Sequence, residues 1–177
     1  MIKTTAIAAL ALVSLSANGQ EITLPGGWEM SRTVNPMDDT VVARVYKESE
    51  NHSESEYFAP ELQLRCRDAE LELFVSWFNP LLQGGPGMID KAILYFWPDL
   101  DVQVRLGAES AENHAWVIST SHSSAFFTGN LNAFLARMNS ADQIAVEVSL
   151  RWRRPIVASW ALVGFPEAMK PVTEHCS

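Results

Sequence analysis

The stretch Glu61-Leu62-Gln63-Leu64-Arg65-Cys66-Arg67 constrains this chain more than any other. Polar and apolar residues alternate along it, so Leu62, Leu64 and Cys66 share one face, as in a half-buried strand. The other cysteine, Cys176, lies one residue from the end. In an oxidising compartment two cysteines pair, and this pair would tie the tail of the chain to an interior strand. The cysteines are separated by 110 residues. A loop of that size gains about 4–5 kcal/mol in the chain-entropy picture, and about 2–4 kcal/mol in typical measurements. The alternative is two separate buried thiols. A metal site needs more ligands than this pair supplies.

The compartment is read from the N-terminus. Lys3 supplies a positive start, Ala6 to Leu15 is a short apolar run, and Ala17-Asn18-Gly19 places small residues before a cut after Gly19. This is the layout of a secretory signal peptide (1–19), with 20–177 as one domain. The apolar run is short for a bilayer span, and no later stretch of about 18 apolar residues follows. Removing the segment with its lysine takes the formal charge of -8 to -9. Such acidity does not suit nucleic acid or an anionic membrane as a partner. A 177-residue chain with 47% hydrophobic content is enough for one domain with a real core.

Along the chain, strand patterns dominate. Residues 20–27 read as a loose polar lead-in, and Trp28–Val34 as a first strand. Asn35, Pro36, Asp38, Asp39 and Thr40 form a structural turn in which side chains can cap exposed backbone N–H groups. Thr40–Tyr46 is a β-branched strand, and Glu48–Glu56 an acidic hairpin loop. Glu70–Phe78 repeats the alternation of 61–67 across the short connection Arg67-Asp68-Ala69, which predicts a hairpin. Phe74 interrupts the polar side and marks a place for another element to cover. Pro80–Met88 is a glycine-rich loop without the following Lys-Ser/Thr of a phosphate cradle. Further strands are expected at 91–97, 101–106, 114–119, 123–127, 142–152 and 156–163.

Two short helices complete the pattern. Leu131, Phe134, Leu135 and Met138 make one helical stripe, capped by Thr128 or Asn130. Gly164–Cys176 starts helical with Pro166 in its first turn, and Pro171 is expected to break or kink it. The fold class is therefore mainly β: a single antiparallel β-sandwich or half-barrel with two short helices and a disulfide-tied C-terminus.

The sequence offers no catalytic, metal or cofactor set. His52, His114, His122 and His175 show no metal-ligand spacing, and no G-x-S-x-G elbow accompanies the hydroxyls around His122. Adjacent strand residues point to opposite faces, so Asp38 and Asp39 do not converge as an acid–base pair. By charge sign they could pair with Arg65. Arg151, Trp152, Arg153 and Arg154 form a basic cluster in an acidic chain, a candidate partner-binding surface for an anionic partner or glycan. The plainer reading is a solvated hairpin tip with Trp152 folded inward.

Several elements together, Asn35-Pro36-Met37-Asp38-Asp39-Thr40, Leu62-Gln63-Leu64-Arg65-Cys66, Val104-Arg105-Leu106 before Trp116, Ala125-Phe126-Phe127 and Gly164 leading to Cys176, resemble the VasI (TagO-like) type VI secretion-associated family. Trp152 and Trp160 stand where the family has other residues, which makes the chain a divergent, free-standing relative. The resemblance implies an exported periplasmic accessory protein, all-β with a C-terminal helical segment, and carries over no catalytic residues. The expected function is non-enzymatic binding of a protein partner in the cell envelope, linked to type VI secretion. A cell-envelope hydrolase, or an inhibitor of a wall-lytic enzyme, is the alternative.

Overall fold

The computed structural model describes residues 20–52, 59–77, 99–121, 123–149 and 155–177. The expected signal segment, the loop and strand expected within 80–97, His122, and the cluster Arg151, Trp152, Arg153 and Arg154 lie outside the described residues.

Among the described residues, 11 antiparallel strands form one curled sheet. In chain order they are β1 (Gln20–Leu24), β2 (Trp28–Val34), β3 (Val41–Glu48), β4 (Asn51–His52), β5 (Glu61–Arg67), β6 (Glu70–Ser76), β7 (Asp99–Leu106), β8 (Glu112–Ile118), β9 (Ser124–Phe127), β10 (Gln143–Val148) and β11 (Ile156–Ala161). Two helices follow β9 and β11: α1 (Leu131–Met138) and α2 (Phe165–His175). The spatial order is β1-β2-β3-β5-β6-β9-β8-β7-β10-β11-β4.

This order brings the sheet back on itself. The chain runs from β3 through Ser49 and Glu50 into β4, and β4 pairs with β11 at the far end of the sheet. Glu50 N donates to the Ser159 carbonyl at 3.0 Å, Ser49 N to the Pro60 carbonyl at 2.8 Å, and the Trp160 indole to Pro60 at 3.3 Å. One bent segment thus joins both ends of a half-barrel, and β1–β2 extends beyond it as a hairpin on the edge of β3.

The alternating residues decide which face is inside. Leu62, Leu64 and Cys66 from β5, Leu73 and Val75 from β6, and Ile144, Val146 and Val148 from β10 enter one buried core. Their polar neighbours face outward, and a register slip of one residue would invert the whole set. α1 adds Phe134, Leu135 and Met138 to that core. Its cap is Asn130, whose Oδ1 accepts from Ala133 N at 3.1 Å, whereas Thr128 donates to the Ala115 carbonyl at 2.6 Å.

α2 lies against β2, β3 and β5, burying Phe165, Ala168 and Val172. The Cys66–Cys176 disulfide fastens its end to β5, with the Cα atoms 5.5 Å apart. Its start is locked to the turn Pro25–Gly27. Gly26 and Gly164 both have positive φ, 76° and 78°, and a Cβ on either would overlap backbone of the other segment. Gly164→Ala is therefore expected to cost more stability than the about 1–2 kcal/mol of a left-handed Ala alone, seen as a lowered melting temperature in thermal denaturation.

Three expectations need correction. Residues 20–24 are not loose: they pair with β2 from Gln20↔Arg32 to Leu24↔Trp28. Asn51–His52 is a strand rather than part of an acidic loop, because β11 supplies its partner. Pro171 does not break α2. It removes one N–H, yet the helix continues to His175, and Thr173 Oγ1 donates to the Met169 and Lys170 carbonyls at 3.2 and 2.9 Å.

Candidate functional site

The outer face of β3, β5, β6 and β9 carries an open groove of about 730 Å³. Register builds it in rows, because directly paired residues share a face. One row is Ser31, Arg44, Arg65 and Glu72. The next is Glu29, Tyr46, Gln63, Phe74 and Phe126. A third holds Glu48, Glu61, Ser76 and Ser124. Ser119, Thr120 and Ser121, between β8 and β9, border the groove beside that third row.

The side chains here are tightly tied. Arg65 Nε donates to Glu72 Oε2 at 2.8 Å, and the guanidinium lies 4.8 Å above the Phe74 ring. Phe74 stacks on Phe126 at 4.7 Å, which is how the interruption at Phe74 is covered. Arg44 Nε donates to Ser31 Oγ at 2.7 Å, and its guanidinium sits 4.6 Å over Tyr46. The Tyr46 hydroxyl donates to Glu29 at 2.7 Å and also meets Glu21. Gln63, only 4% exposed, donates to Glu61 at 2.7 Å and to Ser76 at 3.1 Å.

Burial raises the Glu61 carboxyl above the ordinary carboxylate range; Arg44 pulls it down, and Glu48, Glu29 and Glu21 add to the rise. A raised pKa means that the charged form is penalised in the folded protein. That penalty is present above the folded pKa and disappears as the pH falls below it. Glu61→Gln keeps an acceptor for Gln63 and is expected to raise the melting temperature at pH 7. The gain is expected to shrink as the pH falls through the carboxylate range, which melts across pH would show.

The expected turn residues lie away from the groove. Asn35 Oδ1 accepts from Met37 N and Asp38 Oδ1 from Thr40 N, both at 3.0 Å, while Asn35 N donates to the Thr40 carbonyl at 2.8 Å and Asp39 takes φ 56°. Hydrogen bonds from Thr40 hold the Asp38 carboxyl below its ordinary value. The suggested pairing of Arg65 with Asp38 or Asp39 does not occur: the β5–β6 register places Glu72 opposite Arg65. A sequence signal for this existed, since an Asp68-Ala69 turn flanked by Arg67↔Glu70 fixes that register. Nothing sequential pointed to Arg44, Gln63 and Phe126 sharing a groove with Arg65.

Two further polar groups lie elsewhere. Ser49 Oγ is 3.0 Å from His52 Nδ1 at the seam of the sheet. Arg137 on α1 bridges Glu109 at 2.6 Å and Glu112 at 3.0 Å, and holds the Glu112 carboxyl below its usual range. Among the described residues, no three His, Cys, Asp or Glu side chains gather as metal ligands, and no helix is long and apolar enough to cross a membrane.

No protein family model matches the chain, and no curated protein matches it. Its structure is similar to that of invasion associated protein B from Bartonella henselae, with a TM-score of 0.54 over 88% of this chain and 97% of that one. Sequence identity is 8%, so the likeness is one of fold.

Proposed function

We propose that the chain is an exported accessory protein of the cell envelope that acts by binding a protein partner rather than by catalysis. We place it as a divergent relative of the VasI (TagO-like) proteins associated with type VI secretion. The observation that carries the reading is the Cys66–Cys176 bond, which joins an interior strand to the last helix. Bonds of this kind persist in oxidising compartments and not in a reducing cytosol. The secretory pattern of residues 1–19 points the same way. The groove supplies a surface with fixed side chains for a partner.

Expression of the full chain in its host, followed by fractionation and intact-mass measurement, tests the export step. The expected product begins at Gln20 and has both sulfurs oxidised; an uncleaved cytosolic product with free thiols would overturn the reading. A photocrosslinker placed at Thr120 is then expected to capture an envelope protein, and in a secretion-positive host a component of that machinery. The hydrolase alternative draws on the Ser49–His52 contact. Peptidoglycan turnover that disappears in Ser49→Ala or His122→Ala would replace the binding reading with a catalytic one.

A further inference from the structure

The groove holds a charge arrangement that strand pairing by itself opposes. Arg44 and Arg65 face each other directly across β3 and β5, and like charges so placed destabilise a sheet. Glu72 answers Arg65, but it is shared with Arg67, whose Nη2 lies 3.8 Å from the same carboxylate. Among the described residues Arg44 has no ion pair, in a chain whose formal charge is -8. The groove lining carries Arg44, Arg65 and Arg67 against Glu61 and Glu72, and Arg44 is the cation there without a carboxylate of its own.

Both guanidinium groups are also set in place. Arg44 is held through Nε to Ser31 and Arg65 through Nε and Nη2 to Glu72, and each guanidinium lies over an aromatic ring. Neither terminal nitrogen of Arg44 is spent on a hydrogen bond to a described residue. Pre-oriented guanidinium forks of this kind suit a carboxylate or similar oxyanion. Across the Phe74–Phe126 floor stands a bank of hydroxyls, Ser76 and Ser124 together with Ser119 and Ser121.

We propose that this groove is a binding site for an acidic saccharide, with a carboxylate seated between Arg44 and Arg65 and sugar hydroxyls along the serine bank. The proposal rests on the reading of the chain as an exported binding protein; it seats a saccharide on the groove floor and leaves the Thr120 rim to the protein partner. A saccharide fits better than an acidic peptide for a topological reason. β3, β5, β6 and β9 are each paired on both sides, so no strand edge in the groove is open to main-chain pairing.

The test is calorimetric titration of the disulfide-intact mature chain with four probes: oligogalacturonate, its methyl ester, inorganic phosphate and hexa-aspartate. Oligogalacturonate is expected to bind, and Arg44→Gln and Arg65→Gln each to weaken it about tenfold or more, the loss that accompanies a charge-assisted hydrogen bond. Arg44 is partly exposed, and its repulsion from Arg65 offsets its attraction for Glu61, so Arg44→Gln is expected to melt close to the parent and serves as the fold-neutral variant. The ester is expected to lose most of the affinity. Equal binding of acid and ester, unchanged affinity in a folded Arg44→Gln, tighter binding of hexa-aspartate, or binding of phosphate alone would each overturn the saccharide assignment. Envelope-partner capture at Thr120 is read separately. If capture persists while oligogalacturonate fails, the ligand assignment falls and the accessory function stands.

Discussion

Reducing the Cys66–Cys176 bond, or replacing it as Cys66→Ala/Cys176→Ser, is expected to lower the unfolding free energy by about 2–5 kcal/mol. At this chain length that corresponds to a fall in melting temperature on the order of 10 °C. The bond closes a loop across 110 residues, so its removal returns much conformational freedom to the unfolded chain. It also frees the end of α2, which otherwise stays on the sheet through Phe165, Ala168 and Val172. Cys66 is 1% exposed, and alanine is chosen there to avoid burying a hydroxyl. Thermal melts with and without reductant, with thiol counts on the same samples, decide the matter. Equal melting with both thiols free would show that helix packing alone holds the tail.

The second large effect belongs to Trp28. Trp28→Ala is expected to cost about 3–5 kcal/mol, the range for a large aromatic removed from a core. The indole is 0% exposed, lies 5.0 Å from the Phe165 ring, and donates from Nε1 to the Val163 carbonyl at 3.1 Å. That same carbonyl is the one a Cβ on Gly26 would strike, so ring, turn and helix start form one interlocked contact. Trp28→Phe keeps most of the packing and loses the hydrogen bond, and is expected to cost about 0.5–1.5 kcal/mol for that bond beyond any change in packing. Denaturant melts of the two variants would separate the contributions. A Trp28→Ala protein as stable as the parent would mean that β2 and α2 are held by other contacts.

Strands whose alternation is strong were legible before any coordinates. Gln143–Val148 and Glu61–Arg67 pack as their period requires, because one face of each has a core to enter. β1 was not legible: Glu21, Ile22 and Thr23 are exposed, so burial leaves no mark on its sequence and only the open edge of β2 makes it a strand. β4 is similar, with two exposed residues held by main-chain bonds to β11. Pro171 shows the converse, a local breaker overruled by helix contacts on both sides of it.

The sequence by itself determined the β class, the inward residues of the main strands, the amphipathic stripe of α1 and the one pair of cysteines, Cys66 and Cys176, that a disulfide could join. These depend on period and residue chemistry, which are local, or on there being just two sulfurs to join. Tertiary structure alone decided the closure of the sheet through β4, the placing of Arg44 beside Arg65, and the groove itself. Arg44, Glu61, Phe74 and Phe126 come from four different strands, and what places them side by side is inter-strand register and curl. Neither is written in the spacing of any one segment.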